Sequence, residues 1–269
     1  MIKPNGIPGE RTLENLLRTA MMPMGHTLYI YGGGWNWQDT GASDLTKRIG
    51  LSESWRRFFE QQDMTYTYRN DADKKNSYYP YGTYNGYSDL GLDCSGYIGW
   101  TLYNTIHAEN GHDGLVMSST KMAKNLAERG WGHWTQNREQ LHPGDIISKN
   151  GHVWMCIGVC ADGSVVIAHS TPSDSREGYP GGGVQLSALG KDKNCEAYVL
   201  ADHYMKNCFQ EWYERYSVAI RDYENYMHFE GEETGVFSWN VMDNNGVLKD
   251  SDGIQKMSVK DVLKLIFEN

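Results

Sequence analysis

The order of helix-like and strand-like segments is the feature that most constrains the fold of this 269-residue chain. Apolar residues first recur at helical spacing, and the predicted helices cover residues 12–20, 53–62, 94–106 and 120–129. Short Val- and Ile-rich runs between turn residues follow, and the predicted strands cover residues 146–147, 153–159 and 165–168. Helices followed by short strands with tight turns indicate an α+β fold, with helices packed on a central antiparallel sheet.

Two regions of the chain differ in pattern, with a boundary predicted at residue 201. Residues 1–201 form the main predicted domain, and residues 202–269 are predicted to be a partly helical extension that packs against it. In the extension, helical spacing covers 204–226 and 259–267, and an acidic, turn-rich stretch covers 231–253. Residues 34–92 form a long, tyrosine-rich insertion. It either lines the rim of a functional site or packs as a surface subdomain, and the sequence leaves both open.

Composition argues against several classes of protein. The formal net charge of −9 disfavours a protein that coats nucleic acid, because such binding needs clustered Lys and Arg. No stretch approaches the roughly 20 apolar residues that span a bilayer. Residues 1–10 lack the apolar core of a secretory signal. The five cysteines are odd in number and irregularly spaced, so they do not predict a disulfide framework and leave at least one free thiol.

A cysteine at the start of a predicted helix is the strongest candidate for chemistry. Asp93-Cys94-Ser95 opens the helix, and Asp93 can cap it. A thiol in a first helical turn feels the positive end of the helix dipole, which favours the nucleophilic thiolate. His152 and His169 lie at the start and end of two predicted strands, where they could act as the base and as its orienting partner.

The hairpin between these two strands decides whether the histidines can meet. A four-residue loop would pair Val159 with Ser164 and would place His169 opposite Trp154, diagonal to His152. Diagonal neighbours lie about 7–8 Å apart, so their side chains can lean together. A two-residue turn would instead place the histidines four positions apart. We predict the longer loop, with the two rings within about 5 Å of each other.

A metal site is the alternative interpretation of one of these segments. His152, Cys156 and Cys160 recur at every fourth residue. In a strand, positions four apart are about 13 Å from each other, which is too far for one tetrahedral zinc ion. We therefore predict no metal site here and interpret Cys156 and Cys160 as small buried residues.

Five segments in order carry a resemblance to a known family. They are Tyr29-Ile30-Tyr31-Gly32-Gly33, Asp93-Cys94-Ser95-Gly96-Tyr97, Pro143-Gly144-Asp145-Ile146-Ile147, Gly151-His152-Val153 and Ala168-His169-Ser170. Together, over about residues 13–199, they resemble the NlpC/P60 family of cysteine peptidases. The resemblance implies a papain-like core in which Cys94 is the nucleophile, His152 the base and His169 the third polar member of the triad.

The resemblance also implies an activity and a partner. The implied reaction is hydrolysis of the γ-D-glutamyl bond to diaminopimelate or lysine in peptidoglycan stem peptides, without a cofactor or metal, outside the cell or in its envelope. Tyr29 matches a family tyrosine that contacts the oxyanion or substrate. Asp93 and Ser95 match positions lining the pocket for the free amino end of the stem peptide. The chain departs from the family in its long insertion and in the lack of an evident cell-wall-binding repeat.

Two alternatives stay open at the level of sequence. The same Cys-His chemistry serves an amidase or an acyltransferase, because an acyl-enzyme can be discharged by water, amine or alcohol. A catalytically silent cell-wall-binding module could also keep these residues. The enzymatic interpretation requires the sulfur of Cys94 to be accessible and aimed at His152. The sequence does not determine the oligomeric state.

Overall fold

The computed structural model describes residues 2–34, 50–62, 90–106, 115–241 and 246–268. Within these residues the chain forms eight α-helices and one seven-stranded, mostly antiparallel sheet, which confirms the predicted α+β class. The tyrosines predicted to dominate the insertion lie outside the described residues.

The four helices predicted before residue 130 and the terminal helix 259–267 are confirmed, with small differences at their ends. The helices are α1 (Leu13–Met21), α2 (Glu53–Gln61), α3 (Cys94–Ile106), α4 (Met122–Glu128), α5 (Glu196–Cys208), α6 (Gln210–Arg215), α7 (Tyr223–Tyr226) and α8 (Val259–Phe267). A short 3-10 helix, Ile254–Lys256, precedes α8. Side-chain oxygens of Thr12 and Ser258 cap α1 and α8 by accepting backbone N–H groups of the first turn, as such residues do at helix starts.

The sheet contains more strands than the sequence predicts. The strands are β1 (Gly132–Thr135), β2 (Ile146–Lys149), β3 (His152–Val159), β4 (Val165–Thr171), β5 (Gly183–Leu189), β6 (Ile220–Arg221) and β7 (Gly235–Trp239). Their order across the sheet is β1-β7-β2-β3-β4-β5-β6. Among these seven strands, all within the described residues, β5 and β6 form the one parallel pair. The three predicted strands are β2, β3 and β4.

The predicted hairpin loop is wrong by one residue, yet the predicted pairing beyond it is correct. Val159 pairs with Val165 and not with Ser164. A β-bulge in the middle of β3 then shifts the register back by one position. Beyond the bulge, Met155 pairs with Ala168, which is the pairing that the predicted alignment requires. The two histidines therefore reach their predicted relationship because the bulge offsets the longer loop.

The C-terminal residues are part of the sheet. The predicted boundary at residue 201 falls inside α5, and strands β6 and β7 follow it in the chain. Strand β7 lies between β1 and β2, inside the stretch that the sequence describes as turn-rich. The predicted helical stretch 204–226 is wrong in part, because it is broken between α6 and α7 by extended residues that include β6. This return of the chain brings C-terminal side chains to the histidine strands.

Helix α3 is the central element of the larger core. Every one of its residues is buried, with α1 on one side and strands β3 and β4 on another. Its apolar residues fill most of this surface, and its buried Thr101, Asn104 and Thr105 donate to backbone carbonyls one turn earlier in the helix. The described part of the insertion also packs here, since the Trp55 ring of α2 meets the Trp100 ring edge-on with centroids 5.7 Å apart.

Among the described residues, no helix combines the length and the apolar character needed to cross a membrane.

Candidate active site

Cys94 is the first residue of α3, and its neighbours hold the start of the helix in place. The Asp93 carboxylate accepts hydrogen bonds from the Gly96 N–H at 2.7 Å and from the Ser95 hydroxyl at 2.9 Å. This is the geometry of a helix cap, so the capping role predicted for Asp93 is confirmed. Asp93 and Ser95, which flank Cys94 in the chain, are both buried.

Contacts of the backbone explain the glycine at position 96 and hold the segment that carries the thiol. A Cβ atom on Gly96 would lie 2.0 Å from the carbonyl oxygen of Gly33, so only glycine fits at this crossing. The same carbonyl accepts the N–H of Asp93 at 3.0 Å. The hydroxyl of Ser170, on β4, donates to the carbonyl of Leu92 at 2.7 Å. The segment before the nucleophile is therefore tied to both the Gly33 turn and the sheet.

The two histidines are joined directly. His152 Nε2 and His169 Nδ1 lie 2.9 Å apart, and the ring centroids are separated by 5.1 Å. His169 is fully buried, while His152 is half-buried at the mouth of β3. The predicted approach of the two rings is thus observed at hydrogen-bonding distance.

Strand β5 extends the histidine pair into a longer hydrogen-bonded chain. His169 Nε2 lies 2.9 Å from Ser187 Oγ, and the Ser187 hydroxyl donates to Gln185 Oε1 at 3.2 Å. The backbone N–H of Ala219 donates to the same Gln185 oxygen at 3.1 Å, which fixes this atom as the acceptor. We call the side chains of His152, His169, Ser187 and Gln185 the histidine relay.

The direction of the relay fixes the protons on both rings. Because the Ser187 hydroxyl proton points to Gln185, its oxygen must accept a proton from His169 Nε2. His169 Nδ1 is then an acceptor, so the proton between the histidines sits on His152 Nε2. Neutral His152 therefore carries no proton on Nδ1. That nitrogen is the one that can act as a base.

The thiol points toward the start of β3. The backbone N–H of Val153 lies close enough to the sulfur of Cys94 to lower the pKa of the thiol. Among the hydrogen bonds of the described residues, none joins Cys94 to His152. Catalytic hydrogen bonds are often long before substrate binds.

Burial overrides the expected effect of the helix dipole. Desolvation, with a smaller contribution from the charge of Asp93, raises the pKa of Cys94 to about 12. Burial and the positive charges of Lys149 and Arg221 lower the pKa of His152 to about 3. The predicted resting thiolate is therefore wrong, because burial favours the neutral form of both the thiol and the imidazole.

Access to the sulfur also differs from the expectation. Cys94 is only 6 % exposed, so the structure does not meet the requirement for an accessible sulfur. Tyr226 of α7 packs edge-on against both imidazoles, with ring centroids 5.5 Å from His152 and 6.4 Å from His169. This tyrosine covers the histidine pair, and its phenol lies near enough to Cys94 for the two groups to interact electrostatically.

The structure gives the surroundings of the other predicted site residues, which are Tyr29, Asp93 and Ser95. The backbone of Tyr29 forms an isolated bridge with Leu92, which brings it beside the segment that leads into the nucleophile. Burial raises the pKa of Asp93 to about 7, and the hydroxyl of Ser95 is directed at this carboxylate. The roles in substrate binding that the resemblance implies for these residues stay predictions.

The sequence argument missed several residues that face the site. Gln185 and Ser187 lie at alternate positions of a buried, otherwise apolar strand, and this unusual polarity was a signal for them. Arg221 and Tyr226 gave no local signal, because they reach the histidines only through the return of the C-terminal chain to the sheet.

The described residues contain one cluster with the spacing of metal ligands, away from the histidines. Ligand atoms of Cys160, Asp162 and Glu196 lie within 4.8 Å of one another. The Glu196 carboxylate pairs with Lys260 at 2.6 Å, and Asp162 accepts hydrogen bonds from the N–H groups of Ser164 and Glu196. These partners assign the carboxylates a structural role. The burial predicted for Cys156 and Cys160 is confirmed.

The arrangement can do acid–base chemistry at a thiol, with a base whose proton position is fixed by the relay. No family model, no curated protein and no solved structure matches the chain.

Proposed function

We propose that this protein is a cysteine hydrolase that cleaves amide bonds in peptidoglycan stem peptides. The observation that carries the chemistry is the histidine relay, which leaves Nδ1 of His152 unprotonated at the start of β3, where the N–H of the next residue, Val153, lies close to the sulfur of Cys94. A nucleophile, a base and a group that orients the base are the three parts that covalent acyl transfer needs.

The proposed reaction requires the sulfur of Cys94, which is buried in the structure, to become accessible when substrate binds, and it begins from the neutral thiol and imidazole. His152 Nδ1 takes the proton of Cys94 as the sulfur attacks the amide carbon. The imidazolium that forms keeps its proton on Nε2, which continues to donate to Nδ1 of His169. The N–H of Cys94, in the first helical turn, has no partner within the helix and can donate to the developing oxyanion. His152 then gives its proton to the departing amine. Water, activated by the same nitrogen, hydrolyses the thioester.

The substrate class rests on the resemblance of the five segments to the NlpC/P60 family. In that proposal the cysteine helix packed on the strands of the relay is a papain-like core, and the bond cleaved follows a γ-linked D-glutamyl residue. A location outside the cell or in its envelope follows from such a substrate.

The test is digestion of purified peptidoglycan and of defined muropeptides, followed by mass spectrometry. Wild type should release two fragments per cleaved bond, and Cys94→Ala should release none. Cys156→Ala is the matched control, because it removes a buried cysteine of β3 outside the relay. An acyl group transferred to an added amine would instead support an acyltransferase. Binding of peptidoglycan with no product from wild type would support a silent module.

A further inference from the structure

Two positive side chains face the histidine pair. Arg221, at the end of β6, donates from one guanidinium nitrogen to the Pro172 carbonyl at 3.1 Å and is hydrogen-bonded to the Tyr226 side chain. Lys149, at the end of β2, lies 4.9 Å from the centroid of the Tyr226 ring. Its ammonium group donates to the side-chain oxygen of Asn225 at 2.6 Å. Tyr226 therefore contacts both histidines and both cations, and Lys149 also pairs directly with His152 across β2 and β3.

These charges are unbalanced within the part of the chain that the structure describes. None of its ion pairs includes Arg221 or Lys149, and the carboxylate of Glu230 acts on Lys149 only from beyond ion-pair distance. Both cations lower the pKa of His152, so they weaken the base that the proposed mechanism needs. They do so in a protein whose formal net charge is −9. Two unpaired cations beside a base make physical sense if an anion joins them during the reaction.

We propose that Arg221 binds a carboxylate of the substrate next to the scissile amide, with Lys149 adding positive charge behind it. This inference rests on the proposed function and names the acyl donor as one with a free carboxylate, such as the α-carboxylate of a γ-linked glutamyl residue. A guanidinium carries five N–H donors, so the contacts with Pro172, Thr171 and Tyr226 leave N–H groups of Arg221 that can donate to a carboxylate.

The site also couples binding to chemistry. A carboxylate on Arg221 offsets the positive charge that faces His152, so the imidazolium of the transition state becomes easier to form. The correct acyl donor therefore restores basicity to His152, whereas a neutral analogue leaves the base weakened.

The first test uses two small alkylating reagents that differ in charge. Iodoacetate carries a carboxylate and iodoacetamide does not, and the ratio of their rates at Cys94 cancels the fraction of thiolate. Peptide mapping should show that Arg221→Gln lowers this ratio at Cys94 about fivefold or more, while the ratio at Cys195 stays constant. An unchanged ratio at Cys94 would overturn the carboxylate site.

Control variants separate local charge from net charge and from misfolding. Arg176 is likewise anchored to a backbone carbonyl and packs on a tyrosine ring, 4.7 Å from the centroid of Tyr213. Arg176→Gln changes the net charge equally and should leave the ratio at Cys94 unchanged. Arg221→Lys keeps the charge without the planar set of N–H donors, so it should lower the ratio at Cys94 less than Arg221→Gln does. Equal loss in Arg176→Gln would show only a net-charge effect and would refute the site.

The second test uses γ-D-glutamyl peptides with either a free α-carboxylate or a carboxamide at that position. Wild type should cleave the acid about tenfold better than the amide in kcat/KM, and Arg221→Gln should lose this preference. If wild type cleaves neither peptide while the alkylation ratio still depends on Arg221, the proposed function fails and the carboxylate site stands. Equal cleavage of both peptides by wild type would refute the site and leave the hydrolase intact.

Discussion

Replacing Ser187 by alanine tests whether the relay sets the proton on the catalytic base. In the structure Ser187 accepts the Nε2 proton of His169, whose side chain is fully buried. Without that acceptor, His169 either keeps an unsatisfied buried N–H or moves its proton to Nδ1. The second choice makes His169 the donor to His152 and shifts the proton of His152 to Nδ1, where it blocks the base.

The size of the effect follows from the cost of the unsatisfied group. A buried donor without a partner costs about 1–3 kcal/mol, which would lower the fraction of the productive tautomer by a factor of about 5–160. We therefore expect kcat/KM of Ser187→Ala to fall by a factor in this range. Ser148→Ala is the matched control, because Ser148 is a buried serine on β2 that accepts a backbone N–H outside the relay.

Two measurements separate this account from simple destabilisation. Nitrogen-15 NMR of labelled imidazoles should show His152 protonated on Nε2 in wild type and in Ser148→Ala, and on Nδ1 in Ser187→Ala. In steady-state kinetics, kcat/KM should stay near the wild-type value in Ser148→Ala and should fall in Ser187→Ala. If Ser187→Ala keeps both the wild-type tautomer and kcat/KM within about twofold of wild type, the reasoning about proton positions is refuted.

Three further predictions follow from the surroundings of the thiol. Because the resting thiol has a raised pKa, its alkylation by iodoacetamide should accelerate about tenfold per pH unit between about pH 6 and pH 9; a plateau in that range would instead indicate a preformed thiolate–imidazolium pair. Tyr226→Ala should speed alkylation of Cys94 about tenfold by uncovering the site, which corresponds to about 1.4 kcal/mol in the activation free energy of alkylation. If Cys94 is not accelerated relative to Cys195, Tyr226 does not cover the site. Gly96→Ala should lower the free energy of unfolding in urea by about 1–3 kcal/mol, because the added Cβ meets the Gly33 carbonyl. The same change in an exposed helix raises that free energy by about 1 kcal/mol. A stabilised variant would contradict the close approach of Gly96 to Gly33.

Local patterns predicted the elements that local interactions determine. Helix α1 follows its apolar stripe and its Thr12 cap, and α8 follows its Ser258 cap. The hairpin of β3 and β4 was predictable because its strands are adjacent in the chain. Strand β7 was not, because it pairs with β1 and β2 across a long separation and its sequence carries no alternation of its own.

In the candidate site, too, the sequence predicted the residues with local signals and missed the properties that depend on packing. Residue types and spacing pointed to Cys94, His152 and His169, and the structure joins the two histidines as predicted. The charge state of the thiol could not be read from the sequence, since it depends on burial that α3 acquires only through packing. The contributions of Ser187 and Arg221 depend on strands brought together by the complete sheet.

The central claim is that Cys94 is the activated nucleophile. The most direct measurement is labelling with an L-Ala-γ-D-Glu peptide that carries a diazomethyl ketone in place of the scissile amide, read out by mass spectrometry of the labelled cysteine. Cys94 is buried, whereas Cys195 and Cys208 are half-buried, so selective labelling of Cys94 cannot arise from exposure. The account predicts a single adduct on Cys94 that is lost in His152→Ala. Adducts that follow exposure, or equal labelling of Cys94 in His152→Ala, would contradict it.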